Sequence, residues 1–409
     1  MMINMSIPPV KEQLEIIERG TIEIVPREEL VRKLENAHKT QKPLRVKLGC
    51  DPTRPDLHLG HSVILRKMRQ FQDLGHHTIL IIGDFTAMIG DPSGANKTRP
   101  ALTREDVVAN GRSYFEQASK ILDPEKTEIV YNSEWLAPMS FEDVIRLASH
   151  YTVARMIERD DFTKRYQNSD TISLHEFLYP LAQGQDSVHL KSDIELGGID
   201  QKFNLLVGRH LQKEFGQSPQ ICLMMPLLVG TDGTQKMSKS YDNYIGIDEK
   251  PEDMYGKALS IPDELIFPYY ELVTDLDQGR LPEIRKRAAS DPRNTKHELA
   301  WTITRMYHGA EMADQARAHF EKTVIQKDVP DEMPEFVFST DSGHGLLDII
   351  RETGFVPSSS EARRLITQGG ITLDGEKITD PRFHFEAGRD GEHILKVGKR
   401  KFGKLIFKS

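Results

Sequence analysis

The chain has 409 residues, 38% of them hydrophobic, enough for roughly two to four domains with ordinary apolar cores. No apolar run reaches the roughly 18–20 residues needed to cross a bilayer, and Lys11, Glu12, Glu15 and Glu18 interrupt the stretch where a secretory signal needs an apolar segment, so a cytoplasmic protein without a membrane partner is expected. A formal net charge of −8 excludes a surface that binds nucleic acid throughout, because polyanion affinity comes from clustered lysine and arginine.

Charge is unevenly spread. Residues 341–409 carry 12 Lys and Arg against 10 Asp and Glu, a net +2 that leaves −10 on the rest of the chain, so RNA contacts are expected in this tail. Cys50 and Cys222 are too few and too far apart for a disulfide framework or a zinc site, and no protein-bound structural metal is expected.

In chain order, Leu44-Arg45-Val46-Lys47-Leu48 predicts a short strand, followed by the turn-rich Gly49-Cys50-Asp51-Pro52-Thr53. A helix is predicted from Leu57 to about Leu74, closed by Gly75. The continuously apolar, β-branched Thr78-Ile79-Leu80-Ile81-Ile82, closed by Gly83, predicts a strand buried on both faces. Strand, helix and strand within about forty residues make a βαβ unit and imply a parallel sheet, whose nucleotide site lies at the strands' C-terminal ends. Tyr179, Gln183 and Asp186 are spaced by four and three, which places all three on one helix face, and Pro180 suits that helix's first turn. From about Lys250 to Glu335 polar helices are punctuated by Pro251, Pro262, Pro268, Pro282 and Pro292, predicting a separate helical domain. A linker rich in proline and acids is expected around Asp328–Pro334, and a third unit follows.

Two constellations carry chemistry. His58-Leu59-Gly60-His61 sits at a predicted helix N-terminus, where unpaired backbone N–H groups and the dipole suit phosphate, and Gly60 lets a flat group approach the backbone. Alone, such a pair reads equally as surface histidines or a weak metal site. Lys236-Met237-Ser238-Lys239-Ser240 follows the glycine-bearing loop Val229-Gly230-Thr231-Asp232-Gly233; two lysines and two hydroxyls there can gather the charge of a leaving pyrophosphate, although a single lysine pair reads as a solvated turn.

Together, and in this order, the two segments resemble the signature of class I aminoacyl-tRNA synthetases, the first differing by leucine for isoleucine and the second matching letter for letter. Gly90-Asp91-Pro92-Ser93-Gly94, Tyr179 to Asp186 and Gly197-Gly198-Ile199-Asp200-Gln201 extend the resemblance to the tyrosyl-tRNA synthetase family over most of residues 40–245. The resemblance implies a Rossmann-like α/β catalytic domain at 1–245, a helical anticodon-side domain at 246–335 and a small α+β alpha-L RNA-binding domain at 341–409. It implies tyrosine activation with ATP and Mg2+, then transfer to the 3'-terminal adenosine of tRNA(Tyr), by a homodimer. By the same resemblance, His58, His61, Lys236 and Lys239 are catalytic, and Gly60, Gly198, Asp200, Ser240, Lys236 and Lys239 bind ATP. Asp186 accepts from the substrate phenol, Asp91, Tyr179 and Gln183 hold its ammonium, and Gln201 lies near the amino acid.

Two positions depart from the family pattern. Lys47 stands where many members place a tyrosine that makes a second hydrogen bond to the substrate hydroxyl, and Ala95 replaces a frequent lysine; Lys47 is kept among the tyrosine-binding residues. In the tail, Ser358 precedes a basic helix with Arg363 and Arg364, followed by the strand and turn Ile371-Thr372-Leu373-Asp374-Gly375, which resembles the alpha-L motif. Lys396–Ser409 adds six basic residues, among them Lys399, Arg400 and Lys401, with Phe402 and Phe407 interleaved in a pattern suited to phosphate contact and base stacking. The rival readings are another nucleotidyltransferase of the same fold, which needs neither the tail nor the three-residue helix face, and a non-catalytic RNA-binding relative, which need not keep both histidines and both lysines.

Overall fold

Apolar runs become strands where both faces are covered. In the first part of the chain they are β1 (Glu23–Val25), β2 (Arg45–Cys50), β3 (His77–Ile82), β4 (Thr127–Tyr131), β5 (Ile194–Gly198) and β6 (Ile221–Met225). They form one sheet in the order β1-β6-β5-β2-β3-β4, parallel except for β1, which pairs antiparallel with β6 at the edge. The four apolar residues Ile79–Ile82 are fully buried, as expected of a strand covered on both faces. The computed structural model describes residues 6–52, 56–91, 104–322, 332–341, 343–387, 390–398 and 401–408.

From β2 the chain winds through β3 to β4, then returns to the opposite side of β2 with β5 and β6. The winding direction therefore reverses between β2 and β5, and a crevice opens at their C-terminal ends. The helix Leu59–Asp73 follows β2 and packs Val63, Leu65, Met68 and Phe71 inward; Leu178–Leu190 precedes β5, and Lys202–Glu214 follows it. The first of the three lies between β2 and β3, as the expected βαβ unit requires.

The chain divides after Ala310 into two units. The helices of the segment expected at 246–335 fall on both sides of that division. Pro251–Ser260, Ile266–Val273, Leu281–Ser290 and Pro292–His308 belong to the first unit, with Pro251, Pro282 and Pro292 in the first turns of their helices, where a missing N–H costs nothing. Their shared core holds the fully buried Tyr255, Tyr269, Leu299 and Ile303.

In the second unit, β7 (Glu335–Ser339), β8 (His344–Gly345), β9 (Ile371–Leu373), β10 (Glu376–Lys377), β11 (His384–Phe385), β12 (Gly391–Val397) and β13 (Lys401–Lys408) form a five-stranded sheet in the order β10-β9-β12-β13-β7 and the small pair β11-β8. The helices Leu346–Glu352 and Ser359–Thr367 cover a core of Leu346, Ile349, Ile350, Ala362, Ile366, Leu395 and Leu405. Ser358 caps the second helix by accepting from the Glu361 amide at 3.3 Å, as the sequence indicates. One expectation fails here. Phe402 and Phe407 are 8% and 5% exposed; Phe407 stacks on Phe338 and Phe385 in the core of this unit, Phe402 lies under Lys396 Nζ at 4.9 Å from its ring centre, and neither is available to stack on a base. Alternation along β13 turns Phe407 toward that core together with Leu405 and puts Phe402, five residues earlier, on the opposite face.

Candidate active site

Strand ends set the first group. Asp51 follows β2, and its carboxylate accepts from Tyr179 Oη at 2.8 Å and from Thr86 Oγ1 at 2.7 Å. Burial, assisted by the charge of Asp91, pushes the Asp51 carboxyl up to about 7 against the pull of those two donors. Asp91 accepts from Gln201 Nε2 at 2.8 Å and from Arg159 Nη2 at 3.2 Å, and Gln201 in turn accepts from Asn204 Nδ2 at 2.8 Å. Of the residues expected to hold the substrate ammonium, Asp91 and Tyr179 thus belong to this carboxylate group, with Gln201, expected near the amino acid, bonded to Asp91, whereas Gln183 donates to Glu195 instead. Pro92, Ser93, Gly94 and Ala95 lie outside the described residues.

Asp186 sits two helical turns beyond Tyr179 and is 3% exposed. Its Oδ1 accepts from Trp135 Nε1 at 2.8 Å and its Oδ2 from Asn132 Nδ2 at 3.4 Å, while Asn132 Nδ2 also donates to Thr86 Oγ1 at 3.0 Å. A hydrogen-bonded path therefore runs from Asp186 through Asn132 and Thr86 to Asp51. Burial raises the Asp186 carboxyl to about 7, and the charge of Lys47 and the two donors hold it from rising further. Lys47, at the middle of β2, is fully buried and pairs with Glu195 of β5, Nζ to Oε1, at 2.8 Å. Gln183 Nε2 donates to the same oxygen at 3.0 Å.

His58 is the N-cap of the helix Leu59–Asp73. Its Nδ1 accepts from the Gly60 amide at 3.1 Å, and its own amide donates to His61 Nδ1 at 3.2 Å. A Cβ on Gly60 would lie 2.8 Å from the His58 ring, so the glycine lets the imidazole fold back over its amide. An Nδ1 that accepts a backbone N–H is unprotonated, which places the proton of each neutral ring on Nε2. Burial, then the neighbouring positive charges, depress His58 to about 2; burial and Lys239 depress His61 to about 4. Near neutrality both rings are uncharged donors.

The loop with Lys236–Ser240 is a built structure. Asn243, 2% exposed, accepts from the Ser238 amide at 2.7 Å and donates to Asp232 Oδ2 at 2.8 Å and to the Lys236 carbonyl at 3.1 Å. Lys236 Nζ lies 3.6 Å from Asp200 Oδ2, just beyond Gly198 at the end of β5, and Lys239 pairs with Asp56. The segment after the loop meets the histidine helix directly: Leu59 donates to the Ile245 carbonyl at 2.9 Å, His58 and Gly246 form an antiparallel bridge, and Tyr244 lies 6.2 Å from the His58 ring and 5.6 Å from Lys239 Nζ. Ser240 opens with its amide on Ser238 Oγ at 3.2 Å. Both signature segments are therefore joined at the mouth of the β2/β5 crevice.

Sequence reasoning missed Glu195, Asn132, Trp135, Arg159 and Asn243. Each is a buried polar or aromatic side chain that acts on a residue already singled out, and its partner is distant in sequence except for Asn243. In the second unit Arg363, Arg364 and Lys401 are exposed, Arg363 and Arg364 on the outer face of the helix Ser359–Thr367; Lys399 and Arg400 lie outside the described residues.

Against this geometry, residues 39–324 match the family of tRNA synthetases class I (W and Y), and residues 345–390 match the S4 domain. The tyrosine–tRNA ligase of Salinibacter ruber is 56% identical over 403 residues, 98% of each chain, and that of Chlorobaculum tepidum is 57% identical over 401 residues, again 98% of each. Among solved structures, the tyrosyl-tRNA synthetase of Archaeoglobus fulgidus complexed with L-tyrosine superposes with a TM-score of 0.62 at 25% identity, over 76% of this chain and 100% of that one. A catalytic unit with both signature segments, an S4 domain and near-full-length identity above one half place this chain in the tyrosine–tRNA ligase family of class I aminoacyl-tRNA synthetases.

Proposed function

We propose that the chain activates tyrosine with ATP to tyrosyl-adenylate and then transfers the tyrosyl group to the 3'-terminal adenosine of tRNA(Tyr). The observation that carries the tyrosine reading is Asp186, a carboxylate deep in the crevice, aimed by Trp135 and Asn132 and placed on the same helix face as Tyr179 and Gln183. Its free lone pairs accept the phenol O–H. Asp91, Tyr179 and Gln183, with Gln201 beside them, hold the ammonium at the other end, which leaves the substrate carboxylate toward the signature segments.

The carboxylate attacks the α-phosphorus of ATP, and the bond to the pyrophosphate oxygen breaks. No covalent bond to the protein is made. His58 and His61 donate from Nε2 to phosphate oxygens as uncharged rings, Lys236 and Lys239 neutralise the departing pyrophosphate, and Gly60, Gly198, Asp200 and Ser240 seat the nucleotide. Mg2+ enters with ATP as part of that substrate and offsets phosphate charge. In the second step the terminal ribose hydroxyl attacks the acyl carbonyl and AMP leaves.

Residues 1–245 form the catalytic part of this proposal, 246–335 the anticodon-side part and 341–409 the alpha-L part, with Arg363, Arg364, Lys399, Arg400 and Lys401 on tRNA phosphates. We place the enzyme in the cytoplasm as a homodimer. Supporting the dimer, Phe141, Ile145, Val153, Tyr166 and Leu174 are between 55% and 84% exposed within one stretch of 34 residues, apolar side chains that a second copy would cover. Exchange of labelled pyrophosphate into ATP, dependent on tyrosine, tests the activity. Sedimentation of a Phe141→Asp, Leu174→Asp variant tests the dimer.

A further inference from the structure

Asp91, Arg159, Asn204 and Gln201 close a ring of side-chain hydrogen bonds. Arg159 Nη2 donates to Asp91 Oδ1 at 3.2 Å, and Gln201 Nε2 donates to Asp91 Oδ2 at 2.8 Å. Asn204 Nδ2 donates to Gln201 Oε1 at 2.8 Å, and Arg159 Nη1 donates to Asn204 Oδ1 at 3.2 Å. The ring has a direction. A guanidinium only donates and an ionised carboxylate only accepts, whereas an amide does either by turning over. Because Arg159 faces Asn204, the Asn204 oxygen points to it, the Asn204 amino group then meets the Gln201 oxygen, and the Gln201 amino group is left for Asp91. The member that donates at both ends thus dictates how both amides are turned.

Arg159 is itself firmly held. It lies in the short link between the helices Val153–Ile157 and Asp160–Gln167, with its side chain 5% exposed. Its Nε meets Asp161 Oδ1 at 2.7 Å, and its guanidinium stands 5.2 Å from the ring centre of the fully buried Phe162. Asp161 matters for the charge. A lone cation beside Asp91 would oppose a second cation arriving there, but one guanidinium shared between two carboxylates leaves the group net negative. Arg159 can therefore fix the Asp91 carboxylate without cancelling its attraction for a positive group.

Resting on the tyrosine reading above, we infer that Arg159 is a positioning residue for the substrate's ammonium group. It orients one oxygen of Asp91 directly and the other through Asn204 and Gln201, so that the carboxylate meets the ammonium in a single geometry. Gln201 serves in this arrangement as a brace of Asp91, with its own oxygen turned to Asn204. Asp161 is the counter-ion that keeps the guanidinium compatible with a cationic ligand.

Loosening the ring is expected to affect ligands that carry the ammonium and to spare one that lacks it. Equilibrium binding is measured with L-tyrosine, with tyramine, which keeps the ammonium, and with 3-(4-hydroxyphenyl)propanoate, which has none. Two variants leave the charge around Asp91 unaltered. Arg159→Lys keeps the cation but loses the planar fork that reaches Asp91 and Asn204 together. Its dissociation constants for tyrosine and tyramine are expected to rise about tenfold or more, the worth of one hydrogen bond to a charged group, and that for the propanoate by less than about threefold. Asn204→Leu, which lets the Gln201 amide turn over, is expected to act in the same direction and by less. In pyrophosphate exchange the loss for Arg159→Lys is expected in KM for tyrosine, with kcat within about threefold.

Retained propanoate binding reports a folded pocket in each variant. An equal rise for all three probes in both variants would show a structural role only and overturn the inference, as would unaltered binding of tyrosine and tyramine. A wild-type chain that binds tyrosine no better than the propanoate would overturn it without any variant. Absence of tyrosine-dependent exchange in the wild type would overturn the proposed function and this inference together, whereas normal wild-type exchange with equal losses in the variants overturns the inference alone.

Discussion

Lys239 and Asp56 stand 183 positions apart in the chain and form an ion pair in the fold, which fastens the Lys236–Ser240 loop to the residue two before His58. The lysine expected to meet pyrophosphate is thus held at the histidine helix before any nucleotide is bound, and Asp56, 57% exposed at its side chain, gives it up at little cost.

Lys239→Ala is expected to slow adenylate formation by roughly a hundredfold while leaving tyrosine affinity within about twofold, because the cation acts on charge that develops in the transition state. Asp56→Asn, which removes the resting partner only, is expected to change the rate by less than about threefold. Single-turnover activation and equilibrium tyrosine binding measure both. A large loss of tyrosine affinity in Lys239→Ala with normal chemistry would remove the lysine from its assigned role.

The parts of this site that were legible in the sequence are those whose geometry is local. The helix face of Tyr179, Gln183 and Asp186 follows from helical spacing, the capped His58–His61 turn from its place after a strand, and the strand His77–Ile82 from an unbroken apolar run. What stayed hidden depends on pairing across the sheet. Lys47 and Glu195 each look misplaced between apolar neighbours, Val46 and Leu48, Ile194 and Leu196, and become mutually explanatory only once the register sets them side by side at 148 positions' separation. Phe402 and Phe407 were misread for the converse reason: aromatic residues among lysines suggest stacking on bases, but strand alternation turns Phe407 into the core, and Phe402 is buried beneath Lys396 on the other face. Trp135 and Asn132 carry no local mark, since their role comes from reaching Asp186 more than fifty residues ahead.

Asp186 offers a test by pH. An acid whose folded-state pKa is raised stabilises the fold while protonated; that contribution is complete below the unfolded value near 4 and is lost as pH rises through about 7. The tyrosine-free protein should therefore lose stability between roughly pH 4 and 7 relative to Asp186→Asn, which thermal melting across that range would measure. Binding runs the other way, because accepting the phenol proton favours the ionised carboxylate. The preference for tyrosine over phenylalanine is expected to fall as pH drops from 8 to 6. Phenylalanine serves as the control for Asp51, which is also raised to about 7 but touches Tyr179 and not the phenol.

Asn243→Ala leaves the Ser238 amide and the Lys236 carbonyl without the partner that orders the loop, at a cost of about 1–3 kcal/mol. Activation should slow about tenfold or more with tyrosine affinity unchanged. Gly230→Ala should behave alike, since a Cβ there would stand 2.3 Å from the Asn243 side chain. If both variants activate tyrosine at the wild-type rate, loop order does not limit the chemistry.

Deleting residues 332–409 should impair transfer to tRNA far more than tyrosine activation. The cut is placed before β7 because that strand pairs with β13 and would be orphaned by a deletion starting at 341. Equal slowing of both steps, in a protein whose melting shows the first unit folded, would count against a dedicated RNA role for the second unit.

Pyrophosphate exchange into ATP by the wild-type chain and by Asp186→Asn, each with tyrosine and with phenylalanine, tests tyrosine activation most directly. The wild type is expected to exchange strongly with tyrosine and barely with phenylalanine, and Asp186→Asn to lose at least tenfold of that preference, since the amide no longer offers a charged acceptor to the phenol. Strong exchange with full preference retained in Asp186→Asn would contradict the role assigned to this helix face, and no tyrosine-dependent exchange in the wild type would contradict the activity itself.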